Sequence, residues 1–310
     1  MIDGERTPNG SLYIGVDCGG TSLRIAAADS GGRIVAESSA PTQDASEREN
    51  GLGEAIRAAV EALAESLPGG RSAVRGIGVG LPFVCHDGRA WLNRNVRSLD
   101  PAELEGALSS SLGAPVALLN DVKCAALGES WLGAARGVES FVFVNAGTGL
   151  SAAIFAGGRV IQGAHNAAGE IGYWLTGQND ATALDSGLGP LEEIAGGVGI
   201  LGAYAKANGA ADSAEEVFRR ARSGEELARA IVERALSCLA TALANLATLV
   251  DPELLVLGGG VSHGLREHEG RILDLLARAT PFPPRVAYSA LGGRAGLIGA
   301  LRLAILSASD

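Results

Sequence analysis

A chain of 310 residues, 47% hydrophobic but only 4% aromatic, suits two domains with cores of Ala, Leu, Val and Ile. Its formal net charge of −10 leaves no basic stripe to neutralise phosphates, which argues against nucleic acid as a partner. The 45 glycines exceed the count of about 22 expected from average usage, but they follow no period, so collagen is excluded. Four cysteines (Cys18, Cys85, Cys124, Cys238) lie far apart with no CxxC pair, the usage of reduced thiols in a cytosolic protein. The polar start MIDGERTPNGS lacks the apolar run of a signal peptide. No apolar stretch approaches the roughly 20 residues of a membrane span. The most apolar long segment, 228–250, carries Arg229, Glu233, Arg234 and Asn245 and reads as a buried helix. The expectation is a soluble, cytoplasmic protein with no membrane partner.

In chain order, LYIGVDCGGTSLRIAA (12–27) reads as two strands joined by a Gly-Gly turn, and residues 33–38 as a third strand. Residues 41–50 are polar and loop-like. Residues 51–67 place Leu52, Ala55, Ile56, Ala59, Val60 and Leu63 at helical spacing before Pro68-Gly69-Gly70 stops the helix. A buried strand over 74–80 ends in glycine, a helix covers 101–112, and a short strand at 116–119 aims at Asn120-Asp121. From there a similar half begins, with a helix over 122–132. A strand at 141–145 meets Ala146-Gly147-Thr148-Gly149, residues 150–156 run back, and Gly157-Gly158 turns into 159–162. The strand, glycine-threonine turn, strand, turn, strand order of 12–38 thus recurs at 141–162, the strongest sign of organisation in the chain. Residues 176–192 read as a polar loop, residues 214–222, 225–250 and 265–279 as helices, 254–257 and 285–288 as strands, and 295–306 as a terminal helix.

The residues themselves point to phosphate chemistry. A Gly-Gly turn exposes backbone N–H groups that form an anion-binding concavity, while Asp17 beside it repels a bare phosphate and calls for an intervening metal ion or water. Asp17 with Gly19, Gly20 and Thr21 therefore suggests a Mg-nucleotide site, although an ordinary hairpin fits the same residues. Asp121, at a strand end and opening a helix, is a carboxylate on rigid scaffold, a place that suits a general base. It equally suits a helix N-cap, where Asn and Asp are both favoured. Gly258-Gly259-Gly260 follows a buried strand, where α/β sheets bind ligands.

Five segments in order, VDCGGTSLRIA, NDVKCAALGE, NAGTGLSAAIFAGGRVIQG, AAGEIGYW and DPELLVLGGGVS, together with the closing AGLIGA, resemble the ROK sugar kinases of the sugar kinase, Hsp70 and actin superfamily. The resemblance covers about residues 11–306. It implies an α/β fold of two actin-like (ribonuclease H-like) lobes with a cleft between them. The small lobe would be residues 1–119 completed by the C-terminal helix (296–310), and the large lobe 120–295. It also implies ATP and Mg2+ as cofactors, a small-molecule sugar substrate, and a homodimer. Residue by residue, the family's catalytic aspartate falls on Asp121 and its sugar-binding asparagine on Asn120. The sugar-hydroxyl glutamates fall on Glu170 and Glu192, with Asn95 (or Asn93) a further sugar contact. Gly19, Gly20, Thr21, Gly147, Thr148 and Gly149 would cradle phosphates, Gly258, Gly259 and Gly260 the adenosine, and Asp17 would orient Mg2+, often through water.

The chain departs from the family in two places. Many ROK proteins hold a structural zinc through a histidine and three cysteines in a CxCGxxGCxE run. Here Tyr173 replaces the histidine and residues 183–192 contain no cysteine, while Gly189, Leu191 and Glu192 survive, so no zinc site is expected. The hydroxyl of Tyr173 is the substitute sugar contact. Leu81-Pro82-Phe83 stands where Pro-Gly-Pro is common, and the bulk of Phe83 is expected to reshape the pocket. The reading is ATP-dependent phosphorylation of a hexose or hexose derivative with Asp121 as general base. The alternative is a catalytically weak sugar- or nucleotide-binding pseudokinase acting as a sensor.

Overall fold

The computed structural model describes residues 10–19, 22–42, 51–92, 99–177 and 187–309. They form two compact units, the first taking Met1–Gly133, Gly163–Asn166 and Arg294–Asp310, the second Ala134–Gln162 and Ala167–Gly293. Each unit contains a five-stranded sheet. In the first, β1 (Leu12–Cys18), β2 (Ser22–Ala28), β3 (Ile34–Pro41), β4 (Val74–Leu81) and β7 (Val116–Asn120) stand in the order β3-β2-β1-β4-β7. Between β4 and β7 in sequence, β5 (Val84–His86) and β6 (Arg89–Trp91) make a separate hairpin. In the second unit, β8 (Ser140–Ala146), β9 (Leu150–Ala156), β10 (Arg159–Val160), β11 (Leu254–Gly258) and β12 (Arg285–Tyr288) stand as β10-β9-β8-β11-β12. In both sheets the first three strands are antiparallel neighbours and the last two add in parallel. The internal repeat seen in sequence is thus a repeat of topology, and the fold class is α/β with two actin-like units.

In the first unit, strand alternation divides the sheet into two unlike faces. Leu12, Ile14, Val16 and Cys18 of β1, with Ile77, Val79 and Leu81 of β4, enter a core shared with the helices Gly51–Ser66 and Pro101–Leu112. The opposite face presents Gly15, Gly76, Gly78 and Gly80. A Cβ on Gly78 would stand 2.1 Å from the Ala300 carbonyl oxygen, and one on Gly76 2.4 Å from that of Ala304. The terminal helix Ala295–Ser307 therefore rests directly on the sheet backbone. It meets the helix Asp121–Leu132 as closely, for a Cβ on Gly299 would stand 1.6 Å from the Cys124 carbonyl oxygen.

That contact accounts for a difference from the expected domain division. Residues 120–133 were assigned to the second half, yet the helix Asp121–Leu132 belongs to the first unit, because its partner is the terminal helix. Phe83, expected at a sugar pocket, is 2% exposed and packed in the first unit's core.

In the second unit, Val142, Val144, Leu255 and Leu257 join a core with the helices Gly197–Lys206, Ala214–Arg222, Glu226–Val250 and Glu269–Ala279. Contrary to the expectation that no stretch approaches a membrane span, Glu226–Val250 is long and apolar enough in composition to cross one, but it buries a stripe from Val232 through Leu236, Leu239, Leu243 and Leu246 in that core. The expected helix over 265–279 is broken into Ser262–Leu265, a 3-10 turn at Arg266–His268, and Glu269–Ala279. The expected loop at 176–192 gives way from Pro190 to two helices, Pro190–Ala195 and Gly197–Lys206, separated by the extended Gly196.

Gly78→Ala is expected to destabilise the protein by more than about 2 kcal/mol, since backbone rather than a yielding side chain occupies the space. Thermal unfolding checks this; a melting temperature unchanged from wild type would refute the backbone contact.

Candidate active site

In the first unit the candidate residues collect at the carboxyl ends of three parallel strands, the usual ligand-binding edge of such sheets. Asp17 of β1 pairs in register with Gly80 of β4, and Gly80 with Leu119 of β7. Asn120 and Asp121 follow at once. Asn120 is the cap of the helix Asp121–Leu132: its Oδ1 accepts the N–H groups of Val122 at 3.0 Å and Lys123 at 3.3 Å. The capping role that sequence allowed for either residue thus belongs chiefly to Asn120, whose amide NH2 is the part left for a ligand. Asp121 Oδ1 accepts from Val122 N–H at 2.8 Å, which fixes its carboxylate at the helix start.

Both carboxylates act on the neighbouring thiols. Burial, then Asp17 and Asp121, push the Cys18 thiol up to about 12, and the same causes raise Cys124 well above its ordinary value. These cysteines are buried, protonated packing groups. Asp17 lies on the glycine face of β1. A Cβ at Gly296, in the first turn of the terminal helix, would come within 2.5 Å of its Oδ1. Burial raises the Asp17 carboxyl to about 6, against the opposing pull of Arg24, its cross-strand neighbour. Gly19 closes its turn by donating to the Ser22 carbonyl at 2.9 Å. Gly20, Thr21, Asn93 and Asn95 lie outside the described residues.

In the second unit the turn Gly147–Gly149 is held by its carbonyls. Ala146 O accepts from Val261 N–H at 2.9 Å, Gly147 O from Gly197 N–H at 2.8 Å, Thr148 O from Val198 N–H at 3.0 Å, and Gly149 O from Gly147 N–H at 3.0 Å. The N–H groups of Thr148 and Gly149 have no acceptor among the described residues. Four committed carbonyls with two adjacent free donors make an anion-binding nest. Gly258–Gly260 lies beside it, since Gly258 pairs with Asn145 across β11 and β8. Gly259 has φ +86°, and a Cβ there would stand 2.3 Å from Ala146 O, so only glycine fits this approach.

Glu170 and Tyr173 bound the 3-10 turn Ile171–Tyr173, joined by a Tyr173 N–H to Glu170 O hydrogen bond of 3.2 Å. Glu192 sits in the first turn of the helix Pro190–Ala195. Its Oε2 accepts from Leu150 N–H at 3.1 Å, an attachment to β9 that its sequence position did not disclose. Among the described residues no group of three or more His, Cys, Asp or Glu side chains is arranged to hold a metal ion. The single carboxylate of Asp17 suits a Mg2+ that arrives on a nucleotide's phosphates, which keeps most of its ligands as water and phosphate oxygens.

The family model described as ROK family matches residues 13–306. The bifunctional enzyme NanE/NanK of Brucella suis is 39% identical over 70% of this chain, which spans only 41% of that relative's length. The glucokinase of Halalkalibacterium halodurans is 31% identical, with 93% of each chain covered. Among solved structures, a ROK family glucokinase from Streptomyces griseus in complex with glucose and AMPPNP superposes with a TM-score of 0.72 at 28% identity, covering 95% of this chain and 99% of the other.

One pH dependence follows from Asp17. With a folded value near 6 against 3.8 in the unfolded chain, the protonated form stabilises the fold below pH 4, and that stability is lost as pH rises through about 6. In nucleotide-free, metal-free protein, Asp17→Asn is expected to raise stability at pH 7.5 by about 2–3 kcal/mol. The gain should vanish below pH 4. Denaturant unfolding at the two pH values measures it, and equal gains at both would refute the burial of this carboxyl group.

Proposed function

This chain belongs to the ROK family, and from that premise we propose that it is an ATP-dependent carbohydrate kinase that phosphorylates a hydroxyl of a hexose or hexose derivative. The observation that carries the proposal is the turn at Gly147–Gly149, whose carbonyls are all engaged while two donors stay open. An arrangement of that kind stabilises charge on a phosphoryl group without having to reorganise. In the proposed reaction Asp121 accepts the proton of the attacking sugar hydroxyl. The turn's N–H groups take the donor's phosphates, and Gly258–Gly260 lies along the adenosine. Asp17 orients Mg2+ bound to the nucleotide. The Asn120 amide, Glu170, Tyr173 and Glu192 are the proposed sugar contacts, with Glu170 accepting two hydroxyl hydrogen bonds and so selecting a hexose face. The proposal includes a homodimer in the cytoplasm.

A coupled assay of ADP release across hexoses and N-acetylhexosamines tests this reading. At least one sugar should stimulate ADP release many-fold over the sugar-free rate. Sugar binding by calorimetry with no transfer to any sugar would replace the kinase by a sensor. Asp121→Asn is expected to lower kcat by about 10²–10⁴-fold while sugar affinity stays within a few-fold; near-normal turnover would remove Asp121 from the role of base.

A further inference from the structure

The carboxylate of Glu192 touches two parts of the second unit that the kinase reading gives separate tasks. Its Oε2 accepts the N–H of Leu150, the residue that follows the Gly147–Gly149 turn and opens β9. A Cβ on Gly149 would stand 3.0 Å from that same oxygen, and one on Gly172 also 3.0 Å. Gly172 lies within the 3-10 turn that follows Glu170. Five residues further on, Gly197 and Val198 donate their N–H groups to Gly147 and Thr148. The stretch from Glu192 to Val198 therefore grips residues 147, 148 and 150 in turn. Of those three hydrogen bonds, the one from Leu150 is accepted by a side chain, that of Glu192, and the other two are backbone to backbone.

We propose that Glu192 is a positioning residue for the phosphate turn, holding the free N–H groups of Thr148 and Gly149 in place and tying the turn to the loop that carries Glu170. The inference rests on the kinase reading and adds a nucleotide-side task to a residue otherwise read as a sugar contact. The chemistry has a distinctive sign. The Leu150 N–H needs an oxygen acceptor, not a charge, whereas a negative charge close to a phosphate site opposes the anion bound there. The amide of Gln supplies the acceptor and removes the opposition. Ala supplies neither. Glycine at 149 and 172 lets the carboxylate oxygen approach both backbones, so the contact is built into the packing and is not a chance rotamer.

The test is calorimetric titration of the full chain with Mg-AMPPNP in the absence of sugar. Glu192→Ala should weaken binding about tenfold, the size expected from loss of one acceptor to a buried donor. Glu192→Gln should bind as tightly as wild type or more tightly. If circular dichroism shows Glu192→Ala unfolded, Glu192→Asp takes its place; one methylene shorter, it cannot reach Leu150, and the same loss is expected. Unchanged affinity in the Ala or Asp variant would overturn the inference and return Glu192 to the sugar alone. Equal loss in Gln and Ala would overturn it too, because charge and not the acceptor would then matter. Wild type that binds no Mg-AMPPNP would bring down the kinase reading together with this inference, whereas tight wild-type binding with an unaltered Ala variant would bring down this inference alone.

Discussion

The first unit depends on a contact of backbone with backbone. The terminal helix lies on β1 and β4 with no side-chain layer between them, because Gly15, Gly76 and Gly78 leave a groove where other residues would place Cβ atoms. Interiors are close-packed, so a groove shaped this closely fixes the helix in position and rotation. Two consequences reach the candidate site. The first turn of the helix comes to rest beside the Asp17 carboxylate, where Gly296 leaves it room. Farther along, Gly299 draws in the helix Asp121–Leu132, and so sets the direction in which that helix leaves Asn120. The last elements of the chain thereby position an aspartate in the first strand and another near residue 120.

The second unit solves the corresponding problem with hydrogen bonds. Its turn at Gly147–Gly149 is held instead by Gly197 and Val198, which donate to the Gly147 and Thr148 carbonyls, and by Val261, which donates to Ala146 O just before the turn. A peptide unit whose carbonyl is fixed has its N–H fixed in the opposite direction, since the group is planar and trans. Occupying the carbonyls is thus a means of aiming the donors. The first unit's turn shares part of this plan, with Gly19 donating to Ser22 and the Thr42 hydroxyl donating to Gly19 O at 3.3 Å. The two units repeat a topology, yet each holds its turn by its own means.

Much of this was legible in sequence because period and punctuation agree. Alternating apolar residues and paired glycines delimited β1, β2, β8 and β9 to within a residue or two, and Asp100-Pro101 and Gly113 bracket a helix with a cap at each end. The candidate residues were legible for the same reason, as each ends a strand or begins a helix. What escaped was whatever depends on a distant partner. The glycines at 76 and 78 alternate along β4 within what reads as an ordinary buried strand, and their purpose shows only when a helix more than 200 residues away is laid on them. The helix Asp121–Leu132 carries no mark of the unit it joins. The hairpin of β5 and β6 has three residues a side, too short for periodicity. Glycine-rich Gly196–Gly202 argues locally against the helix that forms, because its stability comes from burial of Ile200 and Tyr204 and not from propensity.

The loop bearing Glu170 shows how a chain with Tyr173 and no nearby cysteines still gives that carboxylate a defined place. Gly169 O accepts from Ala152 N–H at 2.8 Å and from Ile171 N–H at 2.7 Å, so the residue before Glu170 is bonded to strand β9. Ile171, immediately after it, is 2% exposed in the second unit's core. Glu170 is therefore bracketed by a backbone hydrogen bond on one side and a buried side chain on the other. Those two restraints come from residues that can change little without disturbing the sheet. Tyr173, half-buried at the end of the same turn, donates its own backbone N–H to Glu170 O at 3.2 Å. Replacement of Gly169, with φ +93° and Ala152 O within 2.0 Å of any Cβ placed there, would break the loop itself.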